Sequence, residues 1–176
     1  MSRDEVQVVE IADVITPVQE HAFEVGKRIA AAGLRNLPDV HLRLLEAPVT
    51  AVLGTVNPRG TAQLTPVWCN HDGRYINLNS VKGRLKDRNL RKQSHVTLLL
   101  MNPENPYHWL TIYGHVVRII EEDDEADGHL ATENIDDLAD VYLGKRPYPL
   151  RDPRGEVRVL YKVEPTRIVT FGPVTG

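Results

Sequence analysis

Thr65-Pro66-Val67-Trp68-Cys69-Asn70-His71-Asp72-Gly73-Arg74-Tyr75-Ile76-Asn77-Leu78-Asn79-Ser80 carries two alternating runs around one tight turn. Asp72-Gly73 is a strong hairpin signal, because the tightest hairpin turns need φ > 0 at their centre. With these two residues as the loop, His71 pairs with Arg74, Cys69 with Ile76, Val67 with Leu78 and Thr65 with Ser80. Side chains alternate along a strand, so Thr65, Val67, Cys69, Ile76, Leu78 and Ser80 share one mostly apolar face, read as a barrel interior. The opposite face carries Pro66, Trp68, Asn70, Tyr75, Asn77 and Asn79. Aromatic rings beside amides suit an interface or a ligand wall better than a plain solvent-facing sheet. Pro66 removes a backbone donor and predicts an edge or a bulge.

Outward from the hairpin, Val49–Val56 reads as a buried strand and Asn57-Pro58-Arg59-Gly60 as a turn. Upstream, Val18, Ala22, Val25, Ile29 and Ala32 recur at helical spacing, predicting a helix from Pro17 to Ala32. A short helix follows at Pro38–Glu46, with Val40, Leu44 and Leu45 inward. Downstream the pattern gives a helix from Arg84 to Gln93, a strand at His95–Met101 and a Pro/Asn loop at Asn102–Pro106. A long strand, Tyr107–Ile120, has a bulge or bend at Gly114. The acidic run Glu121–Glu125 opens a helix reaching Leu143, where acids suit the N-terminal dipole. Gly144–Gly155 is a Pro-rich loop, and Val157–Val163 and Arg167–Phe171 are the last strands. Strands joined by hairpins and short turns predict a small antiparallel barrel. Residues 1–36 form a helical extension and residues 37–176 the barrel domain.

The chain has 176 residues and is 41% hydrophobic, enough for one domain with its own core. Its one cysteine, Cys69, excludes an internal disulfide and a cysteine-based zinc site. The N-terminus shows no apolar leader, and Leu98-Leu99-Leu100-Met101 is too short to span a bilayer. The expected compartment is the cytoplasm. A formal net charge of −3 argues against a nucleic-acid binder. Residues 82–92 nevertheless carry Lys82, Arg84, Lys86, Arg88, Arg91 and Lys92 against the single acid Asp87. A local basic cluster in an acidic protein suits a small anion.

That cluster is the candidate site. A strand ends in Asn79 and Ser80, Gly83 lets backbone approach a ligand, and a helix then starts with free N–H groups. Lys82, Lys86 and Asn89 form one stripe if the helical phase extends back to Lys82. Arg84 projects from the first turn, where its guanidinium suits a phosphate, and Thr65 sits across from Ser80. From the residues alone, an anion site and a solvated basic helix fit equally. His108 and His115 fall on opposite faces of one strand, and the other histidines are scattered and read as surface or boundary residues. No metal site is expected. Asp136, Asp137 and Asp140 read as a solvated helix face. No self-sufficient catalytic constellation emerges, so either a cofactor supplies the chemistry or the protein is not an enzyme. In the loop, Tyr148 is a candidate cap over an acceptor, with a rigid connector as the alternative.

Several stretches together resemble the split β-barrel flavoproteins related to pyridoxamine 5′-phosphate oxidase, nearest to the F420-dependent branch of actinobacterial flavin/deazaflavin oxidoreductases. They are Ala51–Gly60, Gln63–Trp68, Lys82-Gly83-Arg84 through Arg88-Asn89-Leu90, Asn102–Tyr107, Tyr142-Leu143-Gly144 and Pro147-Tyr148-Pro149. The resemblance implies a mainly β fold with helices, an FMN-binding Greek-key antiparallel split barrel with an added N-terminal helix. It implies a homodimer with cofactor sites at the subunit interface. Thr65, Pro66 and Val67 would line the cofactor ring. Asn79, Ser80, Lys82, Arg84, Lys86 and Asn89 would hold its phosphate-bearing tail, and Trp109 would touch the ring. The implied activity is hydride transfer from reduced coenzyme F420 to an electron-poor organic acceptor. An FMN oxidoreductase and a non-catalytic flavin or haem binder are the alternatives on the same fold. Arg88 and Arg91 lean toward the longer, carboxylate-bearing F420 tail. The Trp-Arg…Arg-Leu ending of true pyridoxamine-phosphate oxidases is not found, which counts against a vitamin B6 substrate.

Overall fold

The computed structural model describes residues 7–9, 28–31, 33–152 and 154–173. Among these residues, nine strands and three α-helices run in the order β1 (Gln7–Val9), β2 (Arg28–Ala31), α1 (Asp39–Glu46), β3 (Ala51–Val56), β4 (Ala62–Val67), β5 (Cys69–His71), β6 (Ile76–Val81), α2 (Leu85–Lys92), β7 (His95–Met101), β8 (Trp109–Glu121), α3 (His129–Leu143) and β9 (Arg158–Phe171). Every strand pairing is antiparallel. No helix among the described residues is long and apolar enough to cross a membrane.

The long strand β9 organises the sheet. Along one side it pairs with β8, with register shifts at Tyr113/Gly114 and Val116/Arg118. The first shift is the irregularity that Gly114 predicts: a Cβ there would lie 2.6 Å from the Glu164 carbonyl oxygen, so only glycine fits. Along its other side β9 pairs first with β6, through Arg158–Val163, and then with β2, through Ile168–Thr170. From β8 the sheet continues through β7 and β3 to β4. The chain then turns at Trp68 from β4 into β5, which pairs with β6.

The alternating interior is as the pattern requires. Leu53, Ile76, Leu78, Leu98, Leu100, Leu110, Ile112 and Ile168 are all buried in one core. Helix α1 turns Leu44 and Leu45 inward, but its third buried residue is His41 and not Val40. Cys69 is buried in the same core, and desolvation pushes its thiol up to about 12, which makes it inert.

Three further expectations are corrected. The hairpin is not one uninterrupted pair of strands. Cys69 pairs with Leu78 and His71 with Ile76, while Thr65 pairs with Leu53 across β3. The loop is Asp72–Tyr75, closed by the Asp72 N–H on the Tyr75 carbonyl at 3.1 Å and by Asp72 Oδ1 accepting from Arg74 and Tyr75 N–H. This two-residue slip preserves side-chain parity, so the interior face is still Cys69, Ile76, Leu78 and Ser80. The outer amide face is covered by α3 of the same chain. Asn77 Nδ2 donates to Asn70 Oδ1 at 3.0 Å, Asn134 Nδ2 to Asn70 Oδ1 at 3.2 Å, and Asn79 Nδ2 to Asn134 Oδ1 at 3.2 Å. Trp68 stacks on Tyr142 of α3, with centroids 5.0 Å apart.

The acidic run does not start α3. Asp124 Oδ1 accepts the Ala126 and Asp127 N–H groups in a turn, and the helix begins at His129. Short acidic side chains compete for backbone donors in this way. Finally, the helix expected over Pro17–Ala32 gives way at Arg28–Ala31 to a strand. The backbone groups of Ile168–Thr170 on β9 find their partners there. Residues 17–27 and 32 lie outside the described residues.

Candidate functional site

A cleft of about 380 Å³ opens where the end of β4, the middle of β6, the start of α2, helix α3 and the loop before β9 meet. Pro66, Val67 and Trp68 form one wall, and Ile135 and Leu138 of α3 another. Arg84, Lys86 and Arg158 bring positive charge, and Asn79, Tyr148 and Leu150 complete the rim. Of the ten residues expected to bind a cofactor, Pro66, Val67, Asn79, Arg84 and Lys86 line this cleft.

The turn into α2 explains why Arg84 and Lys86 face it. Gly83 has φ +82°, a conformation that glycine adopts without strain. Arg84, with ψ 157°, is the residue before the first helical turn. The buried Asp87 fixes this turn: its Oδ2 accepts the Gly83 N–H at 2.7 Å. Its Oδ1 accepts the Tyr161 hydroxyl at 2.5 Å and Arg91 Nε at 2.8 Å. Burial opposes ionisation of Asp87, but these hydrogen bonds outweigh it and hold the carboxyl below its ordinary pKa. Burial and then the Arg84 and Arg158 charges lower the Lys86 pKa. An anion bound beside the amine would offset both effects. Asn79 donates to the Ala131 carbonyl at 2.9 Å, while its Oδ1 is buried without a partner among the described residues.

The other five expected residues lie elsewhere. The helical phase does not extend through Gly83 to Lys82, whose amine is bound to Glu121 and Asp123. Asn89 is 2% exposed, and its Nδ2 faces Thr55 Oγ1, Asn57 Oδ1 and Gln63 Oε1 at 3.1, 3.0 and 3.2 Å. It ties α2 to the β3–β4 hairpin. Thr65 accepts from Gln63 Nε2 at 3.2 Å on β4. Ser80 is buried on the interior face, its hydroxyl without a partner among the described residues. Trp109 stacks on Phe171, with centroids 6.1 Å apart. Arg88 and Arg91 are also engaged, Arg88 with the Gly83 carbonyl and Arg91 with Asp87 and Glu121.

Sequence reasoning missed Arg158 and the α3 wall. Arg158 is 77 residues beyond its strand partner Val81, and only the β6–β9 pairing brings it here. Tyr148 was visible as the aromatic of the Pro-rich loop. It stands edge-on to Trp68 at 6.1 Å between centroids. Among the described residues, no group of three His, Cys, Asp or Glu side chains is placed to hold a metal ion.

Comparison with known proteins adds to this geometry. The family described as pyridoxamine 5′-phosphate oxidase matches residues 37–170. A solved structure named F420 reductase is 30% identical over 75% of this chain and 98% of its own, with a TM-score of 0.60. A conserved hypothetical protein from Mycobacterium tuberculosis is 21% identical over 78% of this chain and 85% of its own, with a TM-score of 0.60. A Listeria innocua protein assigned to pyridoxamine 5′-phosphate oxidase is 22% identical over 75% of this chain and 95% of its own, with a TM-score of 0.55. These last two likenesses concern the fold. No curated protein is significantly similar in sequence.

Proposed function

From the premise that the chain belongs to the pyridoxamine 5′-phosphate oxidase family, we propose that its cleft binds a phosphate-bearing deazaflavin cofactor and that the protein is an F420-dependent oxidoreductase. One observation carries the reading. Arg84 and Lys86 stand in the same cleft as the Pro66-Val67-Trp68 wall, with Arg158 a third cation in its lining. A planar ring against the wall and an anionic tail at the cations fit that donor set. The 30% identity to a protein named F420 reductase favours the deazaflavin.

When bound, reduced coenzyme F420 supplies a hydride to an electron-poor organic acceptor. The chain's part is binding and orientation. Arg84 and Lys86 hold the tail by charge-assisted contacts. Pro66, Val67 and Trp68 present an apolar face that excludes water from one side of the ring. Tyr148, at the rim, is placed to meet an acceptor.

The second reading, an FMN enzyme on the same fold, is favoured by one finding: Arg88 and Arg91, the cations that would serve a longer tail, are occupied by protein partners. Titrating F420 and FMN side by side into the purified protein decides between them. Tight FMN binding without F420 binding overturns the first reading. The same reading pairs two copies of the chain. In its support, a groove of about 300 Å³ on β3, β4, β7 and β8 exposes Leu64 and Tyr113. A monomer by light scattering at micromolar concentration, with and without cofactor, refutes the pairing.

A further inference from the structure

Arg158 lies outside the basic run and enters the cleft from the first residue of β9. Its side chain is only 4% exposed. The guanidinium carbon lies 4.7 Å from the centre of the Tyr148 ring, and Tyr148 is itself tied by its N–H to Asp136 Oδ1 at 2.8 Å. The Arg158 backbone N–H is fixed on Glu122 Oε2 at 3.1 Å. The residue is therefore held firmly, yet its charge is poorly met. Nη1 is 3.3 Å from Glu156 Oε1, but Arg158 Nε and Glu156 Oε1 are both buried without a hydrogen-bond partner among the described residues.

A buried guanidinium with an unused Nε donor is costly unless an acceptor arrives. Beyond Glu156, the surrounding charges do not supply one. Arg151 is bound to Glu122 and Arg146 to Asp137, so those pairs are already matched. What remains at the cleft is Arg84, Lys86 and Arg158 against Glu156, an excess of two positive charges.

We propose that Arg158, backed by Tyr148 and Glu156, is an anion-binding residue of this cleft, and that the cleft selects ligands presenting two negative charges there. The inference rests on the reading of the cleft as a cofactor site and deepens it. Two ligand chemistries present such a pair of charges: a phosphate monoester, and a phosphodiester adjoining a carboxylate. FMN carries the first and coenzyme F420 the second, whereas riboflavin carries neither.

The test titrates FMN, F420, riboflavin and inorganic phosphate into the full chain and its R158Q and R158K variants. Binding is followed by flavin or deazaflavin fluorescence and, for phosphate, by phosphorus NMR line width. R158Q is expected to weaken the charged cofactor by at least about tenfold. It should weaken inorganic phosphate in parallel and leave riboflavin unchanged. Loss confined to FMN assigns the monoester, and loss confined to F420 assigns the diester with carboxylate. R158K, which keeps the charge and loses the planar fork, is expected to retain part of the affinity; if R158Q does not fold, R158M decides, because it keeps an unbranched stem and removes the charge. Parental affinity for inorganic phosphate in the variant that folds overturns the proposal, as does a parent that binds no phosphate. If the parent binds no flavin or deazaflavin but its phosphate binding still needs Arg158, the cofactor reading falls and the anion site stands.

Discussion

His41 and His108 make the barrel's stability depend on pH in a way that one substitution isolates. His41 is fully buried on α1, its ring centre 5.2 Å from that of His108, and neither of its ring nitrogens has a partner among the described residues. Burial first, and the neighbouring His108 second, lower its pKa from 6.5 to about 4. Above pH 6.5 both the folded and unfolded chains hold this ring neutral, and pH has no effect through it. As pH falls below 6.5, the unfolded chain takes up the proton and the folded one does not, so folding loses stability until about pH 4. Each pH unit in that window removes about 1.4 kcal/mol, about 3 kcal/mol in all. His41→Leu keeps the volume roughly constant and removes the titrating ring. Urea unfolding at several pH values from 7.5 to 4.5 is expected to show a shallower loss of stability in the variant, the two curves diverging as pH falls. The carboxylates titrate in both proteins and leave a common background. Parallel curves for parent and variant would mean that His41 does not set this dependence.

Asp87→Asn is expected to lower stability by about 1.5–3 kcal/mol, since it takes the charge from a carboxylate bonded to Arg91, Tyr161 and Gly83. The loss should shrink in acid, because the parent's depressed pKa means that its advantage disappears as pH falls through the folded value; melts at pH 7 and pH 3 check this. Lys86→Ala and Arg84→Ala are each expected to weaken anion binding by about 1.5–3 kcal/mol without lowering the melting temperature, as read by titration and calorimetry. Gly128→Ala would put a Cβ 2.3 Å from the Glu122 carbonyl oxygen. The expected cost is about 1–3 kcal/mol in a urea melt. Leu98→Ala, in the fully buried centre of β7, is expected to cost about 2–5 kcal/mol by the same measurement.

What the sequence made legible was local. Period-two alternation placed Ile76 and Leu78 inside, and it did so even though the hairpin register was off by two residues, because parity survives such a slip. The break at Trp68 was not legible. Pro66 hinted at an irregularity, but the partner that draws β4 away from β6 is β3, and that pairing is a tertiary fact. Arg84 and Lys86 followed from the run around Gly83, where the turn and its cations are neighbours in the chain. Lys82 and Asn89 turn to Glu121, Asp123, Thr55 and Gln63, all distant in sequence, and so away from the cleft. Arg158 carried no local signal at all. The asparagines of β6 were recognised as unusual, and their match to Asn134 needed the position of α3.

The placement of β9 bears on how this barrel is made during synthesis. Strands β2, β6 and β8 each hydrogen-bond to β9, which follows them all in the chain. Until the ribosome has delivered residues through Phe171, those three earlier strands lack the neighbour that their backbone groups need. A nascent chain stopped before Arg158 therefore holds open sheet edges, the kind of surface that invites pairing with other chains. Closure depends on contacts far apart in sequence, which places folding on the slow side for a domain of this size. The same arrangement delivers Arg158 to the cleft only at the closing step, so the anion site and the finished barrel come into being together.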